Sequence, residues 1–260
     1  MMINIEVIRG ILIPFFGTTL GALCVLMLRG ELNRGIQRVM AGFAAGVMVA
    51  ASVWSLLIPA IEQSKTLPVV NFLPAAAGFA VGYFFLLLLD RVLPQPQNED
   101  LLRNGSNLKK TYMTVLAVTL HNLPEGMAVG VVFAARLAQD CLISESAALA
   151  LAVGIAVQNF PEGAIVSLPL HSAGVGKGKS LFFGILSGAV ELVGAAVTVL
   201  AAVLVAPALP YFLSFAAGAM IYVVVEELIP EMADGAHTKK GAVSFAFGFL
   251  LMMILDVALG

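Results

Sequence analysis

The sequence predicts an all-α membrane protein, a polytopic bundle of eight transmembrane helices with both termini on the extracytoplasmic side. Of the 260 residues, 60% are hydrophobic and 12% are charged, which is about half the charged fraction of an ordinary soluble domain. A water-soluble fold cannot bury that much apolar surface. A bilayer core about 30 Å thick needs roughly 20 apolar residues per helix. The chain offers eight such runs, near 6–28, 39–61, 72–93, 112–136, 146–170, 181–206, 210–230 and 241–260.

Connections between these runs are short, so residues 1–260 are predicted to form a single transmembrane domain. The longest connection, about 94–110, is rich in polar residues and contains Pro94 and Pro96. It is predicted to be a flexible cytoplasmic loop. The first run, 6–28, is too long for the apolar part of a cleavable signal and is predicted to remain as the first helix.

The lysines and arginines between the runs predict the orientation, because cytoplasmic loops carry an excess of these residues. Only Arg9, Lys65 and Arg136 fall on one side. The other basic residues fall in the odd-numbered connections, which are therefore predicted to be cytoplasmic: Arg29, Arg34, Arg38, Arg91, Arg103, Lys109, Lys110, Lys177, Lys179, Lys239 and Lys240. A net charge of −2, without a basic patch interleaved with aromatics, indicates no nucleic-acid partner.

A short internal repeat marks the fourth and fifth runs. The hexad His121-Asn122-Leu123-Pro124-Glu125-Gly126 is followed, 37 residues later, by Gln158-Asn159-Phe160-Pro161-Glu162-Gly163. Residues four apart share a helical face, so His121 is predicted to lie over Glu125, and Gln158 over Glu162. Each proline removes a backbone hydrogen bond and pushes away the carbonyl four residues earlier, which opens space at that depth.

Carboxylates inside a bilayer cost about 2.5–3.5 kcal/mol each on insertion scales, so they persist where they face a partner or a water-filled path. Counted from the predicted helix starts, the polar residues of the hexads lie roughly 10–17 residues into their helices, near the bilayer midplane. Glu191 and Met48 fall at similar depth. A midplane site on irregular helices is typical of secondary transporters.

One imidazole, several carboxylates and amide oxygens suit divalent first-row metals, and this chemistry alone does not choose among them. Alternatives remain at single positions. Met48 could ligate through its thioether or pack in the core, Gln158 could ligate or orient Glu162, and Glu191 could bind metal or pair with a polar neighbour. Asn122 and Asn159 could line a second, adjacent position, and bridging glutamates would make the site binuclear.

Further acids, Glu226, Glu227 and Glu231, cluster at the predicted cytoplasmic end of the seventh helix, and Asp90 lies at the same end of the third. Two interpretations remain open. The residues could form an ordinary solvated helix end, or Asp90 and Glu227 could line an exit path for a cation.

Together these motifs resemble the ZIP zinc and iron permeases, particularly their bacterial members, and the resemblance spans nearly the whole chain. The two hexads are similar to that family's paired signature in its fourth and fifth helices. The other matching segments are Gly42 to Met48 with Ser52 to Pro59 in the second helix, Ser187-Gly188 with Glu191 in the sixth, and Val223 to Pro230 with Glu231 in the seventh.

The resemblance implies a divalent metal transporter that imports ions into the cytoplasm by alternating access through a mid-membrane, often two-metal site. Zinc is the first expectation as substrate, with cadmium, iron and manganese as alternatives, and no organic cofactor is expected. By position, one metal site would use Met48, His121, Glu125, Gln158 and Glu162. The second would use Asn122, Asn159 and Glu191 with the shared glutamates. Some relatives carry Asp at the position of Asn159, and the neutral amide here weakens the attraction of the second position for a cation.

The resemblance also implies a multi-pass protein of the plasma membrane, the bacterial inner membrane, whose partners are metal ions, the lipid bilayer and, as in many relatives, a possible homodimer. The alternative function is an intramembrane metal-dependent hydrolase, in which the same cluster would activate water. A protease of that kind would carry H-E-x-x-H on one helix, and this motif is absent from the sequence. The chain is therefore predicted not to be an enzyme.

Overall fold

Eight long helices and no strand make up the residues described by a computed structural model, namely 5–27, 33–64, 70–92, 107–136, 143–204, 208–233 and 239–259. Each helix coincides with one predicted apolar run, so the predicted all-α bundle is confirmed. The helices are α1 (Ile5–Met27), α2 (Arg34–Gln63), α3 (Leu73–Val92), α4 (Asn107–Arg136), α5 (Glu145–Ser172), α6 (Lys177–Leu204), α7 (Leu209–Ala233) and α8 (Lys240–Leu259).

Among the described residues, seven helices are long and apolar enough to cross a membrane, namely α1, α2, α3, α5, α6, α7 and α8. α4 is 30 residues long. Large apolar side chains stand on the outer helix faces, such as Phe84 with 62% and Phe247 with 66% of the side chain exposed. These faces suit lipid, and the chain is a multi-pass membrane protein.

α4 begins earlier than the sequence predicts. Residues 107–110, which were expected at the end of the flexible loop 94–110, form its first turn. Because Lys109 and Lys110 are charged, this turn does not extend the apolar run from which the helix was predicted. The rest of the predicted loop lies outside the described residues.

Four helix pairs make the closest contacts: α1 with α5, α2 with α8, α3 with α7, and α4 with α6. Glycines at these contacts let the backbones approach. Gly42 of α2 faces the backbone of Gly241 in α8, and Gly126 of α4 faces the backbone of Glu191 in α6. A side chain at Gly126 would overlap the carbonyl oxygen of Glu191. The second hexad glycine, Gly163, faces the Thr18 carbonyl of α1 in the same way.

α2 and α7 each contain one wide π-helical turn, Ser52–Leu57 and Val224–Leu228. A proline follows two residues after each turn, Pro59 in α2 and Pro230 in α7. Proline lacks an N–H and its ring displaces the carbonyl four residues earlier. The residue before each proline accordingly donates its N–H to the carbonyl five residues back. Such turns often occur at functional sites, and both of these carry a polar side chain used below.

Candidate metal site

The two polar hexads meet inside the bundle. Gln158 of α5 donates from Nε2 to Oε1 of Glu125 in α4 at 2.5 Å, and also to Oδ1 of Asn159 at 2.5 Å. All three side chains are almost completely buried. Both helices remain continuous through Pro124 and Pro161, so the polar groups are presented from regular helices.

Glu191 of α6 lies beside this pair and is 1% exposed. Its Oε1 accepts hydrogen bonds from the Thr18 hydroxyl of α1 and from Nδ2 of Asn122 at 3.4 Å. Asn122 also donates to the Ser187 hydroxyl of α6 at 3.3 Å. Sequence reasoning missed Thr18 and named Ser187 only as part of a family motif, because a lone hydroxyl in an apolar helix is usually satisfied by its own backbone.

Glu162, the carboxylate of the second hexad, is 9% exposed. It lies within electrostatic range of Glu125, Glu191 and Glu227. The structure therefore gathers carboxylates from α4, α5, α6 and α7 into one region. Negative charges concentrated in this way in a low-dielectric interior attract a cation.

Met48 of α2 is completely buried. It belongs to the large buried apolar cluster that runs through the bundle. Burial of this kind fits both interpretations of Met48, a core residue and a thioether ligand.

His121 contacts α7. Its Nδ1 lies 2.8 Å from Oε2 of Glu227, and the imidazole is also within electrostatic range of Glu125 and Asp90. Asp90 accepts a hydrogen bond from the Tyr222 hydroxyl at 2.8 Å. Glu227 lies in the π-helical turn of α7, which explains how a residue predicted at a helix end reaches the hexad histidine.

Several lone pairs at the site are unused. Within the described part of the chain, Oε2 of Glu125, Oε1 of Gln158 and Oε2 of Glu191 are buried and have no hydrogen-bond partner. Buried oxygen acceptors of this kind are costly unless something satisfies them. Amide and carboxylate oxygens are also ligands for divalent metals, so the donor set fits a metal ion as substrate.

The described side chains nevertheless include no three His, Cys, Asp or Glu groups arranged tightly enough to hold one ion. Two of the side chains at the site already have partners: Nδ1 of His121 lies beside Glu227, and the Gln158 amide donates to one oxygen of Glu125.

A second polar pocket of about 200 Å³ lies between α2, α5 and α8. Ser55, in the π-helical turn of α2, donates to Oδ1 of Asp256 in α8 at 2.7 Å, and Glu62 also lines the pocket. Oδ2 of Asp256 is buried without a partner among the described residues. Asp256 is an acidic residue inside the apolar run 241–260, and this was the sequence signal for the pocket.

Comparisons with known proteins match this chain to zinc transporters. The profile of the family described as "ZIP Zinc transporter" matches residues 96–256, which include both hexads and Glu191. "Zinc transporter ZIPB" of Bordetella bronchiseptica is 40% identical over 252 residues, covering 95% of this chain and 79% of that protein. "Zinc transporter GufA" of Myxococcus xanthus is 38% identical, covering 94% of each chain. "Zinc transporter ZIP11" of Homo sapiens is 32% identical, covering 98% of each.

Proposed function

Because the chain belongs to the ZIP zinc transporter family, we propose that it imports divalent metal ions, zinc first among them, through the site between α4 and α5. Cadmium, iron and manganese are alternative divalent substrates. Transport proceeds by alternating access, with the ion held near the middle of the membrane. No organic cofactor takes part.

One observation carries this proposal: within the described part of the chain, the hydrogen-bond donors to the buried carboxylates Glu125 and Glu191 are all neutral. Among the described contacts, Glu125 accepts a hydrogen bond from Gln158, and Glu191 accepts hydrogen bonds from Thr18 and Asn122, all neutral donors. A buried charge without a counter-charge is costly. A divalent cation passing through the site would remove that cost.

We assign the first metal position to His121, Glu125, Gln158 and Glu162, with Met48 as a sulfur ligand from α2. Asn122, Asn159 and Glu191 form a second position that shares the two hexad glutamates. The second position has a hydrogen-bond network of its own, through Thr18 and Ser187, and the neutral Asn159 gives it less negative charge. The first position is therefore the stronger of the two for a cation.

The proposed orientation is supported by the basic residues in the odd-numbered connections, which favour a cytoplasmic position for those connections and for the far ends of α3 and α7. Asp90 and Glu227 then line an exit path below His121. The polar pocket at Ser55 and Asp256 lies toward the extracytoplasmic ends of α2 and α8. It receives the ion from outside. Both termini are extracytoplasmic, the membrane is the bacterial inner membrane, and the working unit is a homodimer.

The hydrolase alternative has no support from the comparisons, because the matching family and the named relatives are transporters. The protein is a divalent metal transporter and not an enzyme.

Replacing Glu227 by glutamine is expected to weaken zinc binding roughly tenfold. A carboxylate that accepts a hydrogen bond from one ring nitrogen of histidine orients the other nitrogen toward a metal, and loss of such partners typically costs about 10–100-fold. The matched control is Glu226→Gln, which changes the exposed neighbour in the same π-helical turn. Isothermal titration with zinc measures both variants, and equal affinities would remove Glu227 from the site.

Replacing Asp256 by asparagine is expected to slow zinc uptake several-fold at low zinc concentration and to change it little at saturating zinc. The change keeps the size of the side chain and the contact with Ser55, but it removes the negative charge that attracts cations to the pocket. Initial uptake rates over a range of zinc concentrations measure this effect. A reduced maximal rate with unchanged concentration dependence would assign Asp256 to packing instead.

Purified protein in sealed liposomes tests the proposed function itself. We expect uptake of radioactive zinc, compared in parallel with cadmium, manganese and iron, and loss of that uptake in His121→Ala. Protein-free liposomes give the background rate. Tight zinc binding without flux across the membrane would contradict a transport function.

A further inference from the structure

Two grooves run along the lipid-facing side of α8. The first, about 530 Å³, lies between α2 and α8 and is lined by Val39, Lys239, Lys240, Val243 and Phe247 among others. The second, about 400 Å³, lies on the other side of α8 and also begins at Lys239. The metal site described above shares no residue with either groove.

A ridge of two apolar side chains separates the grooves. Val243 and Phe247 line both of them and are 53% and 66% exposed. The floor of the second groove is made by the small side chains of Ala242 and Ala246, and the groove ends at Leu250. The two grooves thus start from one polar end and pass on opposite sides of one apolar ridge.

The polar end carries positive charge that no carboxylate among the described residues neutralises. Neither Lys239 nor Lys240 forms an ion pair with a carboxylate in the described part of the chain. Arg38 precedes Val39 and lies one helical turn before Gly42, which packs on Gly241 at the start of α8. Its Nε is buried and has no hydrogen-bond partner among the described residues.

The second groove has about the depth of one membrane leaflet, and the first is somewhat shorter. The α8 residues that line the first groove run from Lys239 to Phe247, eight residues or roughly 12 Å at 1.5 Å per residue. Those that line the second run from Lys239 to Leu250, eleven residues or roughly 16 Å. This is about half of a hydrocarbon core about 30 Å thick. Lysines at the polar end can extend to the headgroup level while their methylene chains stay on the apolar surface.

We propose that the two grooves hold one anionic diacyl phospholipid. Its phosphate lies at Lys239 and Lys240, and one acyl chain runs in each groove, on either side of the Val243–Phe247 ridge. The common start of the grooves at Lys239 fits one headgroup with two chains, and unpaired basic residues at a membrane surface attract anionic lipid. The proposal goes beyond metal transport and does not depend on it.

A second copy of this chain is a poorer occupant. The one acidic residue of α8 is Asp256, which lies near the opposite end of the helix. An α8–α8 contact at the grooves would therefore bring lysines together without a carboxylate from that helix. Like charges placed together at an interface disfavour it.

Native mass spectrometry of the purified protein in detergent tests the proposal. We expect one molecule of dioleoyl phosphatidylglycerol to bind each chain more tightly than dioleoyl phosphatidylcholine. The double variant Lys239→Gln, Lys240→Gln should bind the anionic lipid roughly 30-fold more weakly, because each lysine contributes about a factor of five to the affinity. The matched control pair, Arg91→Gln with Lys179→Gln, also removes two exposed positive charges from helix ends and should bind normally.

A groove variant tests the two-chain arrangement separately. Ala246→Phe fills the second groove on the exposed face, so it should weaken binding of dioleoyl phosphatidylglycerol and leave binding of single-chain lysophosphatidylglycerol unchanged. Equal affinities for the two diacyl lipids, or an equal loss in the control pair, would overturn the proposal. Full competition by inorganic phosphate would also overturn it. Cysteine cross-linking between copies of Phe247→Cys in the absence of bound lipid would do the same.

Discussion

Replacing Glu125 by glutamine is expected to stop zinc uptake while the helical bundle stays folded. The change keeps the shape of the side chain, which is 1% exposed, but it removes the charge that attracts the ion. Zinc affinity should fall by more than roughly tenfold, because loss of even an outer partner of a metal ligand costs about 10–100-fold. Glu162→Gln, in the second hexad, should have the same effect. Uptake into liposomes and zinc titration measure both variants.

The control for these variants is Glu226→Gln, which removes an exposed carboxylate from the same membrane protein. Circular dichroism and size-exclusion chromatography establish that all three proteins remain folded. Zinc uptake at the normal rate by either hexad variant would place the transport site elsewhere.

Replacing Gly126 by valine is expected to destabilise the bundle and to abolish uptake together. The new side chain would overlap the carbonyl oxygen of Glu191, and backbone cannot move aside as a flexible side chain can. Overpacking of this kind costs about 1–3 kcal/mol and occasionally more. Because α6 must shift away from α4, Glu191 should leave Asn122 as well. Thermal unfolding in detergent measures the loss of stability.

Gly178→Val provides the matched control, since nothing lies within 4 Å of the position where its Cβ would be placed. We expect this variant to unfold at the wild-type temperature. A Gly126→Val protein with unchanged stability and uptake would show that α4 and α6 are not held together through this contact.

Much of the fold could be predicted from the sequence, because membrane helices are specified by long apolar runs. The predicted and observed bounds of α5 differ by only one or two residues at each end. The start of α4 was predicted too late, because its first turn carries Lys109 and Lys110 and does not extend the apolar run. The orientation of the helices remains a prediction.

The polar residues of the candidate site could also be found from the sequence, since imidazole, amide and carboxylate groups are conspicuous in apolar helices. Their partners were harder to predict. Thr18 contacts Glu191 across 173 positions of sequence, and no local pattern encodes that contact. Glu227, which contacts His121, lies in the π-helical turn of α7. The similar Leu-Ile-Pro segments at Leu57-Ile58-Pro59 and Leu228-Ile229-Pro230 were the available signal for both π-helical turns.

The most direct test of the metal site is anomalous X-ray scattering from crystals of the protein grown with zinc. We expect a zinc peak between α4 and α5, within bonding distance of His121, Glu125 and Glu162. The Gln158 amide should be turned so that its oxygen faces the ion. The peak should be absent in crystals of Glu125→Gln grown under the same conditions. A strong peak elsewhere, with none between α4 and α5, would contradict the proposed site.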